Sequence, residues 1–173
     1  GTSIIDRPDY PMVLMEYAEV EFLLSEENGW DQTHYENGVT ASMERWNSQD
    51  GNVDISGDIA TYVANLPAAN EENVLTQKYI ALYMQATTAW TEYRRTGYPQ
   101  ILVMPNDEYT IYEPAQDTTY EFTFTPAVQL TDLPARMKYP QQEQTLNETN
   151  YKEARTWLPN GDAQDSKLWW DVD

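Results

Sequence analysis

The longest run of helical periodicity lies in residues 70–99, NEENVLTQKYIALYMQATTAWTEYRRTGYP. Leu75, Tyr79, Leu82, Ala86, Ala89 and Tyr93 recur at the three-four spacing of one helix face. Glu71 and Glu72 suit the positive end of a helix dipole, and Arg94 and Arg95 suit the negative end. Gly97 supplies a left-handed stop and Pro99 forbids resumption. The pattern predicts one central helix over residues 71–96. Its 24 residues from Glu72 to Arg95 would form a rod about 36 Å long. Val74, Ile80, Tyr83 and Trp90 lie off the main stripe, so the rod is apolar around much of its girth and belongs against other chain.

Upstream, Met15, Ala18, Phe22 and Leu23 form a stripe that predicts a helix over residues 12–28, closed by Gly29. Asp31 can cap a second helix over residues 32–47, whose Tyr35, Val39, Met43 and Trp46 share a face. The short link Trp30-Asp31 folds the two into an αα-hairpin spanning residues 12–47. Small residues Gly38, Ala41 and Ser42 allow close packing. A polar loop and a short helix fill residues 48–67, the helix ending before Pro67. From residue 97 to 173 the character changes to loops and short strands. Tyr120, Phe122 and Phe124 alternate with polar residues, a half-buried strand signal, and Pro114, Pro126 and Pro134 keep strands short. Residues 134–140 read as extended, residues 150–157 as a helix capped by Asn150, and PNGD after it as a turn. The predicted fold is mostly α, with helix pairs like tetratricopeptide units, short irregular β segments and long loops.

Composition narrows the function. The 173 residues carry 29 acids against 10 Lys and Arg, a net charge of −19. Phosphate binding needs basic surface, so nucleic acid and anionic bilayers are poor partners. Neutral or cationic ligands are favoured. The chain has no Cys, which removes disulfides, thiolate metal sites and a Cys nucleophile. No apolar run approaches a membrane span. The start GTSIID has neither a basic nor an apolar signal region. That fits either a cytosolic protein or a piece of a longer chain.

Candidate chemistry is sparse. Arg94 and Arg95 resemble a carboxylate clamp, but the dipole argument gives them a structural role at the helix end. Asp50, Asn52, Asp54, Ser56 and Asp58 alternate like calcium ligands, yet Ile55 and Thr61 stand where an EF-hand needs Gly and Glu. His34 is the only histidine and is expected at the surface. Glu16, Glu19, Glu21, Glu26 and Glu27 follow solvent-face spacing and are expected to be wetted rather than catalytic. Trp46 and Tyr62 are the aromatics best placed to line a groove, where an exposed ring could stack on a sugar. Trp169 and Trp170 are expected to pin the C-terminus to the core.

Several segments together resemble the SusD/RagB family of glycan-binding outer-membrane lipoproteins. They are PMVLMEYAEVEFLLSE, then GW and YENGVTASMERW; QKYIALYMQATTAWTEYRRTGYP; and PARMKYPQQEQTLNETNYKEA followed by KLWWD. RRTGYP and the P-R-M-Y-P-E-N pattern are the most specific, since neither follows from helix composition. The resemblance spans nearly all of the chain but only the C-terminal part of the family architecture, a single C-terminal part over residues 1–173. It implies a surface lipoprotein of the outer membrane, partnered by the N-terminal part of its own chain. It also implies a SusC-like TonB-dependent transporter as partner, to which oligosaccharide or a similar nutrient is passed without catalysis or cofactor. No ligand-contacting motif of the family falls on these residues. A helical-repeat scaffold for protein partners is the alternative. An all-helical carbohydrate enzyme would require a pair of buried acids in a cleft.

Overall fold

The computed structural model describes Pro8, residues 12–50 and residues 54–171, the side chains of 48–50 excepted. The mostly α fold holds: seven α-helices and one two-stranded sheet occur among the described residues. They fall into two compact units, residues 1–100 and 101–173.

The first unit begins with the expected hairpin, α1 (Tyr17–Glu27) and α2 (Gln32–Asp50). The α1 helix starts five residues later than its stripe predicts. Met12, Leu14 and Met15 are exposed, so helix there would cost chain entropy without burying an apolar face. Asn28 ends α1, and Gly29 and Trp30 follow with φ of 73° and 67°. Buried Ser25 fastens this link: its carbonyl accepts from the Trp30 N–H at 2.7 Å, and its hydroxyl donates to the Asp31 carbonyl at 2.8 Å. Asp31 then caps α2 by accepting from the His34 N–H at 2.9 Å. The helices touch closely at Gly38, where a Cβ would lie 2.8 Å from the Phe22 ring. Phe22, Tyr35, Val39, Val74 and Ala18 make the core. Each large member contributes about 1.5–3 kcal/mol by burial.

A third helix, α3 (Ser56–Ala64), follows. Asp54 starts it by accepting from the Ser56 N–H at 3.0 Å, and Asn47 of α2 holds the Ile55 N–H at 2.8 Å. The predicted calcium pattern therefore spends Asp54 and Ser56 on a helix start; residues 51–53 and the Asp50 side chain lie outside the described residues. No acid and histidine cluster suited to a metal occurs among the described residues.

The single rod predicted for residues 71–96 is two helices, α4 (Glu71–Ala81) and α5 (Ala86–Thr96). Asn70 caps α4 through the Asn73 N–H at 2.8 Å, and Gly97 ends α5 with φ of 71°. Between them Met84 takes a left-handed φ of 71°. No breaker stands in Leu82-Tyr83-Met84-Gln85, so local propensity does not explain the turn. Charge does. Lys78 of α4 is 1% exposed, and its ammonium lies 3.0 Å from Glu92 of α5 and 3.9 Å from Glu26 of α1. In a straight helix the 14 positions from Lys78 to Glu92 would span about 21 Å, beyond any ion pair. Arg95 completes the cluster, with Nη1 donating to Glu26 at 2.6 Å and Nη2 bound to Glu92. The Lys78 ammonium is not aligned for hydrogen bonds, so its attraction is Coulombic. Nor is the predicted rod buried all round, since Ile80 of α4 and Tyr83 of the turn are exposed.

The second unit holds a hairpin of β1 (Glu108–Glu113) and β2 (Thr118–Thr123), antiparallel with Tyr109 opposite Phe122 and Ile111 opposite Tyr120. The predicted half-buried strand is exposed along its length, because no third layer covers it among the described residues. Two short helices, α6 (Gln141–Leu146) and α7 (Glu148–Ala154), run into a 3₁₀ turn (Arg155–Trp157) in place of the single helix expected over 150–157. Asn147 separates them and Asn150 lies inside α7, donating its amide to Asn147 at 2.6 Å. Arg136 of the PARMKYP motif is buried and donates to Asp162 at 2.6 Å. The same carboxylate accepts from the Tyr139 N–H at 3.0 Å and the Tyr151 hydroxyl at 3.2 Å. Trp169 does not pin the C-terminus, being 88% exposed, and Trp170 is also exposed.

Lys78→Ala leaves Glu26 and Glu92 with Arg95 alone and empties the space of a buried stem, so it is expected to destabilise by about 2–5 kcal/mol in urea unfolding. Lys78→Met, which keeps the stem, loses less. A change within the error of a surface substitution would show that the cluster does not hold α5.

Acid sensitivity follows from three carboxyls held below the ordinary range. Tyr17 and then His34 hydrogen-bond Glu21, Arg95 hydrogen-bonds Glu26, and at Asp162 burial pushes upward but is outweighed by Arg136, Tyr139 and Tyr151. Their folded pKa values lie below the unfolded ones, so this stability is complete above about pH 4.5 and is lost as pH falls through the folded values. Melting temperature is expected to drop below that pH, and less steeply in Glu21→Gln.

Candidate functional site

The turn between α4 and α5 presents Tyr83 and Met84 to solvent. Their left-handed corner closes one side of a groove of about 700 Å³. Met12 and Leu14, which precede α1, also line it. The volume lies within the range of about 300–1,000 Å³ usual for small-ligand clefts. Polar groups line the groove as well. Arg45 of α2 forms an ion pair with Glu16, and Gln85 donates to the same carboxylate at 3.5 Å. Thr87 and Thr88 of α5 add hydroxyls.

Trp46 stands behind this groove rather than in it. Its ring meets Tyr83 edge-on with centroids 5.2 Å apart, and Arg45 lies over it at 5.4 Å. The half-buried indole supports the Tyr83 ring, which is 57% exposed. Tyr62, 46% exposed on α3, has a different partner, accepting from the Gln77 amide at 3.0 Å. The two predicted aromatics are thus not joined in one pocket. Tyr83 was overlooked because it falls on the flank of the central helical stripe. Its exposure depends on the turn, for which the residue pattern carries no signal.

The acids of α1 also depart from expectation. Glu21 is 5% exposed and accepts from His34 Nδ1, 2.7 Å away, so neither residue is a free surface group. Glu16, Glu19 and Glu26 are half-buried, whereas Glu27 is exposed. Burial raises the Glu19 carboxyl, and nearby Lys78 partly offsets this. These carboxylates face cations of other helices, which is why a helical solvent-face spacing did not leave them in water. Arg95 serves structure, as its place at the helix end predicts, and Arg94 lies 5.0 Å over the Trp90 ring.

A family model described as starch-binding and associating with the outer membrane, of the SusD-like type, matches residues 2–140. The chain belongs to this SusD-like family. Among solved structures, a chitin-binding protein superposes on this SusD-like chain with a TM-score of 0.65 and 27% identity. The match covers 91% of this chain and 33% of that one, so the chain spans about a third of its relative's length. No curated protein matches the chain. Among the described residues, no helix of this SusD-like chain is long and apolar enough to cross a membrane.

Met84 costs about 1–2 kcal/mol in its left-handed conformation, which Gly adopts freely. Met84→Gly is therefore expected to raise the melting temperature while keeping the turn. Destabilisation instead would mean that the Met84 side chain contributes more packing than its backbone costs.

Proposed function

We propose that the chain is a glycan-binding component of a SusC/SusD-type outer-membrane uptake system. It captures oligosaccharide for a TonB-dependent transporter and performs no catalysis on it. The observation that carries this reading is the family match over residues 2–140. The likeness to a chitin-binding protein supports it. In this reading the protein is a lipoprotein exposed on the cell surface, held by an anchor outside these residues.

The groove at the α4–α5 turn suits a sugar. Tyr83 offers an aromatic face for the C–H side of a pyranose ring, and Arg45, Gln85, Thr87 and Thr88 offer hydrogen-bonding groups beside it. Trp46 acts through Tyr83. Tyr62 is a separate ring contact for a longer chain.

A helical scaffold for protein partners is the second reading. Exposed Tyr17, Leu23 and Leu24 on α1, with Ile80 on α4, favour it.

Calorimetric titration of the whole chain with malto-oligosaccharides and chito-oligosaccharides tests the first reading. Binding to at least one series is expected. Tyr83→Ala should weaken it about two- to tenfold, the loss of one stacking contact. No binding to any glycan would sink the sugar reading and favour the scaffold. Binding unchanged in Tyr83→Ala, Trp46→Ala and Tyr62→Ala would move the site elsewhere.

A further inference from the structure

A second groove, of about 590 Å³, runs between α2 and α3 and contains none of the aromatics discussed above. Its two walls differ in chemistry. On α2, Glu36, Thr40 and Glu44 stand at four-residue intervals and so share one face. On the α3 side, Ile59, Val63 and Leu66 make an apolar wall. No Lys or Arg lines the groove among the described residues.

The Glu36 carboxylate is held in place. Its Oε1 accepts from the Gln32 amide at 2.8 Å, and Gln32 in turn accepts from the Ala69 N–H at 2.7 Å. Glu44 is exposed and makes no hydrogen bond or ion pair among the described residues. Thr40 donates its hydroxyl to the Glu36 carbonyl at 2.8 Å, which leaves its oxygen to accept. At one end the groove is closed by Asn47, whose amide donates to the Ser56 hydroxyl at 2.9 Å.

We propose that this groove binds an oligosaccharide of amino sugars, with ammonium groups on Glu36 and Glu44 and sugar C–H faces on the α3 wall. Charge complementarity selects the occupant: two carboxylates and no lining cation attract positive charge. The apolar wall favours a ligand with an apolar face over a bare inorganic ion. Length selects an oligomer. Glu36 and Glu44 stand eight residues apart, or about 12 Å along the helix axis, too far for one sugar ring to reach both. The proposal rests on the glycan-binding reading for the class of ligand, and on the groove for the amine.

The test compares two oligosaccharides of equal length on the whole chain: a glucosamine oligomer and its fully N-acetylated, neutral counterpart. Titration at pH 5.5 keeps the sugar amines charged. The glucosamine oligomer is expected to bind more tightly, and to weaken as salt is raised. The double substitution Glu36→Gln and Glu44→Gln should lower its affinity on the order of tenfold and leave the acetylated oligomer unchanged. Equal binding of both oligomers, or no loss in the double variant, overturns the amino-sugar site while leaving glycan binding intact. Binding of neither oligomer overturns this site, and if malto-oligosaccharides also fail, the glycan reading falls with it. Circular dichroism of the double variant confirms that it remains helical; Glu44→Gln alone, at an exposed position, serves as the readout if it does not.

Discussion

A single buried ammonium organises the first unit. Lys78 sits where three helices meet, beside carboxylates of α1 and α5. Desolvating that charge is costly, and the cost is offset only if acids from other elements come to it. Glu92 can do so only when the chain turns back at residues 82–85, and Glu26 only when α1 packs on α4. The need to neutralise Lys78 therefore couples the helical turn to the hairpin. The same turn leaves Tyr83 and Met84 at the rim of a groove, so the exposed aromatic is a consequence of a buried charge.

The second unit repeats the principle with a different cation. Arg136 is buried against Asp162, and Tyr139 and Tyr151 satisfy the same carboxylate while stacking edge-on at 6.0 Å. Arg136 of PARMKYP and Arg95 of RRTGYP, the segments most specific to the sequence resemblance, serve packing: Arg136 anchors the extended segment and Arg95 ties α5 to α1.

In a chain with so few bases, the position of each base matters. Arg45, Lys78, Arg95 and Arg136 are each spent on internal carboxylates. Many of the remaining acids stay on the surface, and the groove between α2 and α3 receives two acids without a counter-ion among its lining. Excess negative charge thus becomes a local property with a chemical preference, beyond its general effect on solubility.

Periodicity and capping chemistry, which act within a few residues, were legible in the chain itself. Asp31 before α2, Gly97 after α5 and the close approach at Gly38 all follow from local sterics and hydrogen bonding, and so does the mostly α class. The break at Met84 was not legible, because every residue around it favours helix and the force that bends it comes from Glu26 and Glu92, far away in sequence. The burial of Glu21 with His34 has the same origin, since spacing along one helix cannot show that another helix brings a partner. Trp169 illustrates the converse: an apolar side chain predicts burial only where some other element arrives to cover it. Trp46, expected to line a groove, is half-buried behind Tyr83, because tertiary folding set which of the two rings faces out. Local interactions determined the elements and their ends; long-range charge pairing decided how they turn, and with that which rings face solvent.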